Sequence, residues 1–241
     1  VNVSANNYQS AGIYNRAPNS TIANNTVLAT SPTSSIRDVP AIRVDNANGN
    51  IIADNNVTTS QIRSYGIFLL GSNYSIVYNN RINTSEIESF GILLNGTARN
   101  NVTNNSAWTI SDGLFVTGNF IEQFSTQRVV NNTINGSNIM YYGGAYDSPA
   151  CPNNAVLTSP IEPHIDFIGC QNITLNSYDA YESMALVNTS NITLHDIRSA
   201  NNYIAIRLLN STNNLIENAT IITNSTVSSQ AIGIWMYNGA N

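Results

Sequence analysis

The sequence predicts an all-β solenoid, a stack of about nine coils that each contain three short strands. Three observations carry that prediction. The stretch Gly66 to Ile82, GIFLLGSNYSIVYNNRI, sets short apolar runs between small polar corners, and the same order returns from Gly12, Ala41 and Ala205. Within this unit a core recurs: apolar, any, Asn or Asp, polar, any, apolar. It reads Ile22 to Val27, Ile52 to Val57, Val77 to Ile82, Val129 to Ile134 and Ile216 to Ile221. Looser copies lie at Val102 to Trp108, Ile173 to Tyr178 and Ile192 to Ile197, so that copies follow one another at about 19 to 30 residues. Finally, the apolar runs are short, β-branched and bounded by Asn, Gly and Ser, which suits strands and not the sustained 3.6-residue stripe of a helix.

Each element of the unit has a physical reading. The third residue of the core sits where a tight corner needs a left-handed bend, which Asn tolerates. Stacked on its copy in the next coil, its amide would form a ladder. The candidates are Asn24, Asp54, Asn79, Asn104, Asn131 and Asn218, with Asp54 needing a different donor. Glycine or alanine opens the coils at Gly12, Ala41, Gly66, Gly91, Gly113, Ala205 and Gly233, where a small residue lets successive backbones approach. Residues 138–170 depart from the pattern and hold both cysteines, several prolines and a tyrosine cluster. They read as an irregular excursion from one β-helix domain covering residues 1–241. The chain starts in a coil already under way and stops in a fresh one. Unpaired strand edges at such ends would pair with something, either further coils of a longer chain or another copy.

Composition narrows the function classes. Of 241 residues, 42% are hydrophobic and only 10% charged, so polarity rests on Asn, Ser and Thr. All nine basic residues are arginine, which excludes Schiff-base and P-loop chemistry. The net charge of −5 is scattered and no basic stripe exists, which argues against nucleic acid. No apolar run approaches the ~20 residues that span a bilayer. The start at Val1 without Met suggests a processed chain. Cys151 and Cys170 suggest a disulfide formed in an oxidising compartment, with two buried thiols as the alternative. Closing that loop would stabilise by about 3 kcal/mol.

The rhythm G-I-x-L…N-x-I-x-x-N-x-I, as in Gly66 to Ile82 and Ala205 to Ile221, resembles the right-handed parallel β-helix repeat of NosD-type and pectate-lyase-like proteins. The resemblance covers nearly the whole chain outside residues 138–170. It implies the fold strongly and the activity weakly, because the family includes lyases, hydrolases, adhesins and surface proteins. Polygalacturonase-like motifs are missing. Hydrolysis would need two carboxylates. Asp38, Asp45 and Asp54 are the nearest run, and they fall at different corners, where solvated acids are expected. The better constellation is Glu162, His164 and Asp166, in Glu-Pro-His-Ile-Asp, where His164 and Asp166 share one strand face. Tyr141, Tyr142 and Tyr146 would offer stacking surface to a sugar ring. With only His164 and His195 in the chain, a zinc centre is a poor fit, and no cofactor is expected.

About seventeen Asn-x-Ser/Thr sequons remain to be explained. Those at the expected ladder would be closed to glycans, whereas Asn73, Asn83, Asn95, Asn188, Asn210 and Asn224 lie at corners or linkers and are candidate glycosylation sites. The alternative is that Asn-x-Thr is simply the corner code of the coil. Together these readings predict an extracellular or cell-surface structural glycoprotein, a filament or surface subunit self-associating end to end. Two alternatives stand beside it: a carbohydrate-binding adhesin or tailspike-like module using residues 138–170, and a polysaccharide lyase or hydrolase.

Overall fold

The computed structural model describes residues 2–4, 11–30, 39–145, 147–160, 162–200, 204–223 and 232–238. The chain forms two compact units, Val1–Gly136 and Ser137–Asn241, and each is described by itself. Every described strand pairing is parallel, as expected of a right-handed parallel β-helix. Asp38 lies outside the described residues.

In the first unit each coil lays one strand on each of three sheets. The third coil is typical: Tyr65–Leu70, Ile76–Tyr78 and Arg81–Thr84. Like stacks on like inside it. Ile42, Ile67, Ile92 and Leu114 form one interior column, and Ile52, Val77, Val102 and Val129 form another. All eight are buried. This is why no single coil is stable alone: its apolar face is covered by the next coil's copy, about 4.8 Å away. The small coil openers do what the sequence requires of them. A Cβ on Gly66 would stand 2.6 Å from the carbonyl oxygen of Gly91, and one on Gly91 would stand 2.6 Å from that of Gly113.

The corner Asn pattern is right in its bend and wrong in its ladder. Asn24, Asp54, Asn79, Asn104, Asn131 and Asn218 all have left-handed φ between 51° and 57°. That bend turns their own side chains out to solvent, and all six are exposed. The residue after the bend points inward, and it is this residue that stacks. Asn25 donates to Asn55 at 3.0 Å, Asn55 to Asn80 at 2.9 Å, Asn80 to Asn105 at 2.9 Å and Asn105 to Asn132 at 2.9 Å. Asp54 therefore interrupts nothing. The sequons at Asn24, Asn104, Asn131 and Asn218 sit on exposed bends, opposite to the expectation. In the first unit the middle residue of the sequons at Asn24, Asn104 and Asn131 supplies the rung. Of the other sequons, Asn83 and Asn188 are exposed, and Asn73, Asn95 and Asn210 are half-buried. The Asn73 side-chain oxygen accepts from the Ala98 N–H at 2.6 Å. Asn224 lies outside the described residues.

Two further differences concern connections. One short helix, Glu122–Ser125, interrupts the all-β pattern between Leu114–Thr117 and Arg128–Val130. It is held by Gln123, whose side-chain oxygen accepts from the N–H groups of Asn119 and Phe120 at 2.7 and 3.0 Å. In the second unit, the stretch expected to be irregular contains the strands Ser137–Tyr142, Val156–Thr158 and His164–Ile168. Residues 143–155 and 159–163 lie outside these strands, and Cys151 and Cys170 are joined as a disulfide with Cα atoms 5.3 Å apart.

The second unit has its own interior, built from Ile165, Phe167, Ile173, Leu175, Leu186, Ile192, Leu194 and Leu208 among others. Its bends at Ser177, Asp196 and Asn218 are followed by Tyr178, Ile197 and Ala219 instead of Asn, so no asparagine ladder runs at that corner. Among the described residues of either unit, no helix is long and apolar enough to cross a membrane.

Candidate active site

The strand His164–Ile168 points Ile165 and Phe167 into the core. Alternation then sends His164 and Asp166 to the opposite face. In register with Asp166 stand Tyr141 on one side and, two strands along, Arg207 on the other, through Ala185. His164, Asp166 and Glu182 are each 1% exposed, and Tyr141 is fully buried.

His164 is held at both ring nitrogens by carboxylates. Nδ1 lies 2.8 Å from Glu182 Oε2, and Nε2 lies 3.0 Å from Asp166 Oδ2. The Ala185 N–H donates to Asp166 Oδ1 at 2.6 Å. Burial alone pushes the imidazole towards its neutral form. The negative charges of Asp166 and Glu182, and their hydrogen bonds, outweigh it, and the pKa stands well above the usual histidine value. The two carboxylates thus favour the charged form of the ring. Burial and the neighbouring carboxylates push Tyr141 and Tyr178 the other way from ionisation, so both keep their protons.

Tyr178 reaches the core from the corner after Ser177. Its hydroxyl is buried and has no hydrogen-bond partner among the described residues. A hydroxyl desolvated without a partner costs about 1–3 kcal/mol. Tyr178→Phe is expected to raise stability by about 1 kcal/mol, read from urea melts. A loss of stability would mean that the hydroxyl is engaged after all.

The sequence finds half of this cluster. His164 and Asp166 come together as their spacing requires. The second carboxylate is Glu182 and not Glu162. Tyr141 and Tyr142 do not present stacking faces. Tyr141 is sealed, and the half-buried Tyr142 packs on the core with its ring stacked on Phe167 at 5.5 Å between centroids. Tyr146 lies outside the described residues. Asp45 is no solvated corner either: Arg43 clasps it through two bonds of 2.8 Å, and the Tyr14 hydroxyl donates to it at 3.0 Å.

What sequence reasoning missed is Glu182, eighteen residues beyond His164. Strands pair at an offset of nineteen residues at this point in the second unit, as Phe167 with Leu186. That offset carries His164 to Ser183, one residue past Glu182, so strand register alone does not find it.

A family profile described as "Periplasmic copper-binding protein (NosD)" matches residues 1–158. No curated protein matches the chain. Two solved structures are similar. One is the catalytic domain of a GH87 alpha-1,3-glucanase variant in complex with tetrasaccharides, at 14% identity and a TM-score of 0.25, covering 100% of this chain and 68% of that one. The other is the catalytic domain of a GH87 alpha-1,3-glucanase in complex with nigerose, at 11% identity and a TM-score of 0.24, covering 93% and 55%. Likeness at this level carries no statement about chemistry.

The family description names copper, and the matched residues do not fit it. Residues 1–158 contain no histidine and a single methionine, Met140, and their one cysteine, Cys151, is disulfide-bonded. The thiolate and imidazole donors that copper favours are missing there.

The expectation of a structural glycoprotein subunit is corrected by these findings. A scaffold strand needs only apolar packing and satisfied backbone. A buried histidine held between two acids is instead the type of constellation found where proton transfer is done.

Proposed function

The chain belongs to the NosD family through residues 1–158, and from that footing we propose that it is a secreted or cell-surface carbohydrate-active enzyme that hydrolyses a polysaccharide. The disulfide suits an oxidising compartment. The observation that carries the reading is the buried His164 ring set between Asp166 and Glu182 at 3.0 and 2.8 Å. Glycoside hydrolysis needs one carboxyl group to protonate the leaving oxygen and another to activate water or attack carbon.

Two carboxylates on opposite edges of one ring, sharing one mobile proton, have that division of labour within reach. Asp166 accepts the Ala185 N–H at 2.6 Å and takes the role of base. Glu182 takes the role of acid: Nδ1 of His164 passes it the proton that it delivers to the leaving oxygen, and Nε2 is reprotonated by Asp166 with the proton that Asp166 takes from water. The cluster is closed to water in this structure, so a glycan enters only as the groups above it give way. The absence of polygalacturonase-like motifs counts against that chemistry only, not against this arrangement.

The test is reducing-sugar release from a panel of neutral glucans, α-1,3-glucan included, and from uronans. Asp166→Asn and Glu182→Gln are each expected to lower the rate by about 10²–10⁴-fold, the usual worth of a positioned acid or base. Thermal melts of the same variants separate lost chemistry from lost fold. Folded variants with unchanged rates, or no release from any substrate, would reject the reading.

A further inference from the structure

A second polar site lies on a different sheet of the second unit, clear of His164 and its partners. The strands Val156–Thr158, Gln171–Asn176, Ser190–His195 and Leu215–Glu217 stack in parallel. Ile173, Leu175, Ile192 and Leu194 take the inner face. The outer face carries two columns in register. One runs Thr158, Asn176, His195, Glu217, and the other includes Thr174 and Thr193. Together they line an open groove of about 370 Å³. Four strands at ~4.8 Å make it roughly 14 Å long.

His195 is set, not free to turn. Its Nδ1 lies 2.9 Å from Asp196 Oδ2, which directs Nε2 along the groove towards Glu217 Oε1 at 3.9 Å and Asn218 Nδ2 at 3.4 Å. Two carboxylates and no arginine or lysine line the groove. Phosphate, uronate and nucleic acid would meet only repulsion there. A metal ion would want three or four ligands, and Nε2 of His195 with Glu217 offers two. Hydroxyls, an amide, an oriented imidazole and a carboxylate at regular spacing are instead partners for a chain of neutral hydroxyl groups.

We propose that this groove binds a neutral oligosaccharide, as a holding site separate from the catalytic cluster. The proposal takes its ligand class from the proposed function and none of its residues. The holding site would keep a polymer against the protein between cleavage events.

The experiment uses the full chain carrying Glu182→Gln, so that added sugar is not consumed, and titrates short linear α- and β-linked gluco-oligosaccharides, oligogalacturonate and zinc by calorimetry. A neutral oligosaccharide is expected to bind, and His195→Ala and Glu217→Gln are each expected to weaken binding at least tenfold. Both positions are partly exposed, so their melts should match the parent. Thr193→Val serves as an independent variant that removes one hydroxyl and keeps the side-chain shape. Groove variants made in the otherwise native chain should leave cleavage of a soluble short substrate unchanged. Neutral-sugar binding that survives all three substitutions overturns the proposal, as does binding of oligogalacturonate or zinc alone, or of nothing. Groove-dependent binding by a chain that cleaves no glycan would keep this site and reject the catalytic reading.

Discussion

Asn80→Ala unfolds the first unit at markedly lower urea, with an expected loss of about 3–5 kcal/mol, because several buried partners go unpaired together. The Asn80 amide donates to the carbonyls of Ile52 and Tyr78 and to Asn105 Oδ1 at 2.9, 3.0 and 2.9 Å. Its oxygen accepts from the backbone N–H and the side-chain amide of Asn55 at 3.0 and 2.9 Å. Water cannot replace these partners, since Asn80 is 1% exposed. The neighbour gives the control. Asn79→Ala removes, from a left-handed bend at φ 54°, the side chain that tolerates that conformation, and should cost only about 1–2 kcal/mol. Equal losses at the two positions would remove the ladder as a source of stability.

Replacing His164 should cost about 3–5 kcal/mol, since it strands two buried carboxylates without their shared cation. The pH dependence fixes the sign. The folded pKa of His164 is raised above its unfolded value, so its stabilisation is fully present below about pH 6.5. It is lost as pH rises through the raised folded value. The second unit should therefore weaken on the alkaline side of neutrality, and the slope should vanish in His164→Gln. The imidazole is bonded to Asp166 and Glu182, and the charges of these carboxylates also act on Tyr141 and Tyr178. The tyrosines, raised by burial, hold their protons through this window. Urea melts of both chains between pH 6 and 9 provide the check. A wild-type curve that is flat or rising with pH would mean that the ring is neutral when folded.

The coil was legible because its signal is repeated. Ile52, Val77 and Val102 say the same thing three times, and each copy corrects the errors of the last. The ladder was misplaced by one residue because both members of Asn79-Asn80 satisfy the same pattern. Only the left-handed bend, which reverses the direction of the next side chain, tells them apart. The catalytic candidates were half legible for a different reason. His164 and Asp166 share a strand, so strand periodicity joins them. Glu182 and the groove around His195 depend on coil-to-coil register, which varies along the chain. Asn55, Asn80, Asn105 and Asn132 follow one another at 25, 25 and 27 residues, whereas Asn172 and Asn191 stand 19 apart. The tyrosine cluster misled because aromatic rings near prolines look like an exposed platform, and here Tyr141 is sealed beside Asp166 and Tyr142 packs on the core.

The asparagine rung has a bearing on how such a chain lengthens. Each rung gives to one neighbour the bond it receives from the other, so a duplicated winding inserted between two existing ones meets partners of the same kind above and below. Extra residues are absorbed on the far side of the winding, as the short helix at Glu122–Ser125 does, without disturbing that column. Growth by whole windings is then nearly neutral for the fold, whereas gain or loss of a single residue at the rung itself would rotate every following side chain out of step.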